Sequence, residues 1–194
     1  AQAIRGGLAD CTIALGFEKM QPGSLQAGAQ DRESPLGRHV KALAEIDEFA
    51  FPVAPWMFGA AGREHMKKYG TTAEHFAKIG YKNHKHSVNN PYAQFQDEYT
   101  LDDILGAKMI SDPLTKLQCS PTSDGSGAAI VASEAFVDKH GLASQAVEIV
   151  GQAMTTDFAS TFDGSAANII GHDMNVQAAQ KVYDQSGLGP EDFQ

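Results

Sequence analysis

The chain has 194 residues, of which 42% are hydrophobic and 20% charged, the balance of an ordinary globular protein rather than a disordered or fibrous one. A formal net charge of −9 and a pI near 5.1 exclude a broad nucleic-acid footprint, which needs clustered Lys and Arg; an anionic coenzyme needs only a local basic patch. No run approaches the ~18 apolar residues of a membrane span, and no transmembrane segment is expected. The two cysteines, Cys11 and Cys119, have no CxxC spacing, so neither a disulfide framework nor a zinc knuckle is indicated and a reducing compartment fits.

In chain order, Ala1 to Arg5 before Gly6 and Gly7 reads as the last turn of a helix with a glycine stop. Cys11 to Leu15 is a short apolar run, the pattern of a strand covered on both faces, in which Cys11 is a small buried hydrophobe. Residues 21–38 turn polar, with Pro22, Gly23, Gly28, Pro35 and Gly37 breaking any periodicity, which predicts a surface loop. Helical patterning returns over residues 62–69, and again from Thr71 or Thr72. There, Thr71 followed by Glu74 has capping-box spacing, Phe76 and Ile79 share a face, and Lys78 and Lys82 suit the carboxyl end.

Residues 83–96 read as ordered loop, and residues 101–109 as a short helix capped near Thr100. Small residues from Thr122 to Gly127 lead into a second buried strand over Ala128 to Ala132. A helix then runs from Ser133 to His140 with Gly141 as its stop, followed by a third strand over residues 146–154. Asp173 or Asn175 caps a last helix whose Val176, Ala179, Val182 and Tyr183 share one face and which Gly187 closes. The turn at Gly189-Pro190 normally precedes another strand in an α/β protein, so both ends read as cut within a longer chain.

Several blocks carry a family resemblance. Ala9-Asp10-Cys11-Thr12-Ile13-Ala14-Leu15-Gly16-Phe17-Glu18-Lys19-Met20 resembles the strand that follows the nucleophile helix in thiolases. His75-Phe76-Ala77-Lys78-Ile79-Gly80, then Lys82-Asn83-His84-Lys85-His86-Ser87-Val88-Asn89-Asn90-Pro91-Tyr92, and Gln94-Phe95-Gln96-Asp97-Glu98-Tyr99 resemble the sterol-carrier-protein type of that family. Pro121-Thr122-Ser123-Asp124-Gly125 is similar to the junction that leads from the thiolase loop domain back into the amino-terminal half. The resemblance covers essentially the whole chain, is weakest over residues 21–48, and finds Gly125-Ser126-Gly127 where the family has an alanine run.

It implies an α/β chain, part of the layered αβαβα thiolase fold with an inserted, mainly helical loop domain. Residues 1–20 would end the amino-terminal half, 21–120 form the loop domain that covers acyl-CoA, 121–144 return to the amino-terminal half, and 145–194 begin the carboxy-terminal half. Thiolases act on a 3-oxoacyl-CoA and coenzyme A through an acyl-cysteine, which needs an activated thiolate, acid/base partners and oxyanion donors. By the same resemblance the nucleophile lies upstream of Ala1 and the catalytic loops beyond Gln194, so no catalytic residue is expected here. Coenzyme A enters as substrate, with no permanently bound cofactor. The parent protein would be a homodimer paired near Cys11–Leu15, peroxisomal in a eukaryote and otherwise cytoplasmic.

For binding, Ser120 matches a coenzyme-contacting serine, and Met57 with Phe58 match a position near the pantetheine and acyl chain, although core packing accounts for a Met-Phe pair equally well. Lys82, Lys85 and Arg63 are candidates for coenzyme phosphates, or simply solvated faces. His84 and His86 form an HxH pair, which on a strand would offer two metal ligands and in a loop hydrogen bonds. Two other functions compete: a non-catalytic acyl-CoA or lipid-binding or transfer module, and an HxH metal hydrolase.

Overall fold

A computed structural model describes residues 1–20 and 32–192; most of the loop expected over 21–38 lies outside the described residues. The elements, in order, are α1 (Gln2–Arg5), β1 (Cys11–Glu18), α2 (Gly37–Ala44), α3 (Val53–Tyr69), α4 (Ala73–Ser87), α5 (Leu101–Gly106), β2 (Met109–Ser111), β3 (Leu114–Thr115), β4 (Gly125–Ala132), α6 (Glu134–Lys139), α7 (Ala166–Ile169) and α8 (His172–Ser186). The chain divides into two compact units, one drawn from Ala1–Pro22 with Thr122–Gln152 and the other from Gly23–Pro121 with Ala153–Gln194. No helix among the described residues is long and apolar enough to cross a membrane.

The first unit is built on an antiparallel ribbon, in which Cys11 faces Ala132 and the register runs without a slip to Glu18 facing Gly125. At the open end the Met20 N–H donates to Asp124 Oδ1 at 2.8 Å. At the other end the Ser133 N–H donates to the Asp10 carbonyl at 2.9 Å, and the Ser133 hydroxyl accepts from the Phe136 N–H at 3.2 Å, so one serine both closes the ribbon and caps α6. Gly141, at φ +67°, ends that helix region as expected, since only glycine enters the left-handed region without a Cβ penalty.

The burial expected of these strands is corrected. Ile13 is 68% exposed, Phe17 78% and Ile130 75%, and Cys11 is exposed. A continuous apolar run signals two covered faces, but among the described residues each strand has only the other as a hydrogen-bonded neighbour. Residues 146–154 likewise form no strand, and Val147 stands in solvent.

The second unit centres on α3. Its buried stripe, Trp56, Met57, Ala60 and Ala61, meets Leu43 of α2 and Ala166 and Ile169 of α7. This helix begins nine residues before the patterned stretch at 62–69, because Pro52 supplies an extended N-cap and Pro55 falls in the first turn, where a missing N–H costs nothing. Gly59 and Gly62, which blur the sequence periodicity, are where α3 leaves no room for a side chain. A Cβ on Gly59 would collide with the Ser111 hydroxyl and the Asp112 carbonyl, and one on Gly62 would sit 3.1 Å from Pro113 Cδ.

Polar contacts fix the same helix. The Asp47 carboxylate accepts from Trp56 Nε1 at 2.7 Å and from Arg63 at 2.9 and 2.7 Å, while Arg63 also donates to the Asp112 carbonyl. The Glu64 carboxylate takes the Ser165 hydroxyl at 2.7 Å and the Ala166 N–H at 2.6 Å, holding the start of α7 on α3.

Helix α4 starts at Thr72, not Thr71. The Thr72 N–H donates to His75 Nδ1 at 3.0 Å, whereas Glu74 turns to Lys78 at 2.8 Å. It also runs on to Ser87, through residues whose composition reads as loop. Helix α5 is capped at Thr100 as expected; bonds from the Thr100 hydroxyl and N–H hold the Asp103 carboxyl below its ordinary value. The last helix, α8, starts after Gly171 and ends at Gly187, φ +72°. Leu43 is fully buried at the centre of this packing, so Leu43→Ala is expected to lower stability by about 2–5 kcal/mol, measurable by urea denaturation.

Candidate functional site

An open groove of about 390 Å³ lies within the second unit, inside the size range of small-molecule clefts. One wall is α4, through Phe76, Ile79, Gly80, Asn83 and His84. The opposite wall is the segment Leu114 to Pro121, and Ala93 to Phe95 close one side. Helix α4 forms this wall because residues three and four apart share a face, and Gly80 sits at the closest approach. A Cβ there would lie 3.3 Å from Gln118 Cγ and 3.5 Å from Ile104 Cγ2.

The facing segment is anchored residue by residue. The Thr115 hydroxyl donates to the Ile104 carbonyl at 2.7 Å, and the Thr115 N–H donates to Gln118 Oε1 at 2.9 Å. His84, 9% exposed, donates from Nε2 to the Leu117 carbonyl at 2.8 Å. That bond assigns the ring proton to Nε2, since a carbonyl only accepts. Edge-on contacts with Tyr99 at 4.8 Å and Phe95 at 5.8 Å hold the imidazole.

The expected binding residues fall in different places. Ser120 is exposed on the groove wall. Met57 packs into the core around Trp56 and Leu43, the packing alternative for that residue, while Phe58 on the same helix is 55% exposed; neither lines the groove. Arg63 is committed to Asp47, which leaves Lys82 and Lys85, both exposed on α4, as its free-standing basic residues near the carboxyl end.

The HxH pair lies on a helix rather than a strand or loop, so its rings leave the axis about 200° apart. His84 points inward and His86 is exposed, so they cannot chelate one ion together. Among the described residues no group of three potential ligands gathers. Asn83, His84 and Gln118 were not foreseen as groove residues; the signal was the apolar pair Phe76 and Ile79 continued by one turn.

Cys119 also lines the groove. Burial pushes its thiol above the ordinary value, and a nucleophilic cysteine needs the reverse. The groove, apolar over most of its lining with amide and hydroxyl groups among the apolar side chains, is suited to holding an amphipathic ligand.

A family model, the thiolase amino-terminal domain, matches residues 1–135. The chain belongs to the thiolase family. It is 58% identical over 195 residues to sterol carrier protein 2 of Rattus norvegicus, covering 98% of this chain and 35% of that protein. It is 43% identical to non-specific lipid-transfer protein-like 2 of Caenorhabditis elegans, with 100% and 48% covered, and 30% identical to benzoylsuccinyl-CoA thiolase subunit BbsB of Thauera aromatica, with 96% and 45% covered. Among solved structures, the Ltp2-ChsH2(DUF35) aldolase matches with a TM-score of 0.71 at 25% identity, over 98% of this chain and 48% of that one. The thiolase chain thus spans about a third to a half of the length of these relatives, and its fold is the partial α/β thiolase fold with mixed helices and short strands.

From the raised thiol, Cys119 is expected to alkylate with iodoacetamide at pH 7.5 more slowly than free glutathione. Its rate should keep rising above the pH at which glutathione levels off. A rate equal to or above that of glutathione would contradict the packing described.

Proposed function

We propose that this chain supplies the coenzyme-covering part of a thiolase-type acyltransferase. The whole enzyme acts on a 3-oxoacyl-CoA and coenzyme A through an acyl-cysteine, in fatty-acid or sterol side-chain breakdown. The observation that carries the reading is the place of Ser120. The serine that resembles a family coenzyme contact stands exposed on the wall of a mainly apolar groove, next to a thiol that burial pushes above its ordinary value. In this reading the groove and its surroundings bind and orient the substrate, and the attacking thiolate comes from outside the residues of this chain. Among the described residues no hydrogen-bonded base stands at Cys11, exposed on a ribbon, or at Cys119, whose thiol burial pushes up.

The same reading places coenzyme A among the substrates rather than the resident cofactors. It places subunit pairing of the parent homodimer along β1, whose apolar side chains face outward, and location in the peroxisome of a eukaryote, otherwise in the cytoplasm. The domain boundaries at 20, 120 and 144 belong to the same proposal.

A second reading, a non-catalytic acyl-CoA or lipid-binding or transfer module, is favoured by the names of the relatives, sterol carrier protein 2 and a non-specific lipid-transfer protein-like protein, together with the apolar walls of the groove.

Titration calorimetry tests both readings, and a thiolysis assay tests the place of the nucleophile. Coenzyme A is expected to bind, and Ser120→Ala to weaken it about three- to tenfold, the worth of one net hydrogen bond. Absence of any heat with coenzyme A and with a long-chain acyl-CoA would defeat both readings. Thiolysis of a 3-oxoacyl-CoA by this chain by itself would defeat the assignment of the nucleophile elsewhere.

A further inference from the structure

We infer that His84 is the residue that positions Ser120 for its ligand. The inference rests on the reading of the groove as a coenzyme site and gives a role to the HxH motif that the rest of the function leaves unexplained. Ser120 itself stands in an exposed, irregular stretch, three residues beyond Leu117. What fixes it is upstream, where the His84 imidazole of α4 reaches the backbone of this segment through the Nε2–H bond to Leu117 at 2.8 Å.

The bond is specified rather than incidental. His84 is nearly buried on the groove wall, the Tyr99 and Phe95 rings fix its plane from two directions, and Gly80, one turn earlier, brings α4 close enough for the imidazole to span the gap. The next residue, Gln118, is locked by its own bond from Thr115, and the Cys119 N–H folds back to the Lys116 carbonyl at 3.3 Å. Ser120 therefore emerges from a short turn whose middle carbonyl is pinned to a helix. His86, turned to the opposite side, has no part in this.

The test is made on the full chain with three variants. His84→Leu removes the donor and keeps bulk; His84→Gln retains an N–H that reaches toward the carbonyl; Leu43→Ala loosens the core of the same unit at a residue that does not line the groove. The readouts are coenzyme A affinity by calorimetry, thermal stability, and hydrogen exchange at the Cys119 amide.

The expected pattern is a tenfold loss of affinity and faster Cys119 exchange in His84→Leu, with both recovered in His84→Gln. In Leu43→Ala the melting temperature falls but affinity stays within twofold of wild type. Equal loss in Leu43→Ala and His84→Leu would reduce His84 to a packing residue and overturn the inference, as would no recovery in His84→Gln. If Ser120→Ala weakens coenzyme A binding and His84→Leu does not, the inference fails while the coenzyme reading stands. If the wild-type chain binds no coenzyme A, the coenzyme reading itself has failed and the role of His84 in binding falls with it.

Discussion

Close approach to helix α3 is the constraint on which the second unit depends. Two glycines remove the side chains that would hold β2 and Pro113 away, and two alanines do the same opposite α7. Interiors pack as densely as organic crystals, so a contact made between backbones leaves no slack for later adjustment. Trp56 then fills what the small residues leave, with its one polar atom satisfied by Asp47. Asp47 and Arg63 together join the turn after α2 to the backbone at Asp112. The orientation of β2 and β3, and through them of the groove wall that follows, is inherited from this helix.

The groove repeats the device on a smaller scale. Gly80 on α4 admits Gln118, as Gly59 on α3 admits Ser111. In each case a helix former would have been about 1 kcal/mol better for the isolated helix, and the glycine is accounted for by what lies across from it. Around these approaches the polar atoms are mostly matched, through Thr115 to Ile104, His84 to Leu117, and Glu64 to the first amides of α7. An unmatched buried group costs about 1–3 kcal/mol.

Legibility followed the range of the interaction. Features that depend on neighbours a few residues away were readable: the Thr100 cap, the short helix after Ser133, and the stops at Gly141 and Gly187. So were the positions of both long strands. Features decided across the chain were not. The start of α3 was hidden because Gly59 and Gly62 are there for Ser111 and Pro113, more than fifty positions away, and interrupt the very pattern by which a helix is read. The last turns of α4 were hidden because a stretch rich in His, Asn, Pro and Gln reads as loop, while the buried face of His84 depends on Tyr99 and Leu117. The apolar runs of β1 and β4 spoke of covered faces that no described residue supplies. Of the binding candidates, Ser120 was legible through resemblance alone, and the helix wall facing it had no motif to announce it.

The distances along the chain have a further meaning for synthesis. Thr12 meets Val131 across a separation of 119 residues, and Glu64 meets Ser165 across 101. A polypeptide emerging from the ribosome amino end first has therefore delivered the whole of α3, with Trp56 and its alanines, long before α7 exists to cover them. During that interval α3 has the contacts that earlier residues supply, the Asp47 pair and then the approach to Ser111 and Pro113, and the closing of each long loop costs chain entropy. A carboxylate at position 64 that waits for a serine and two amides a hundred residues downstream thus acts as the latch of a vectorial process, catching the late segment as it arrives.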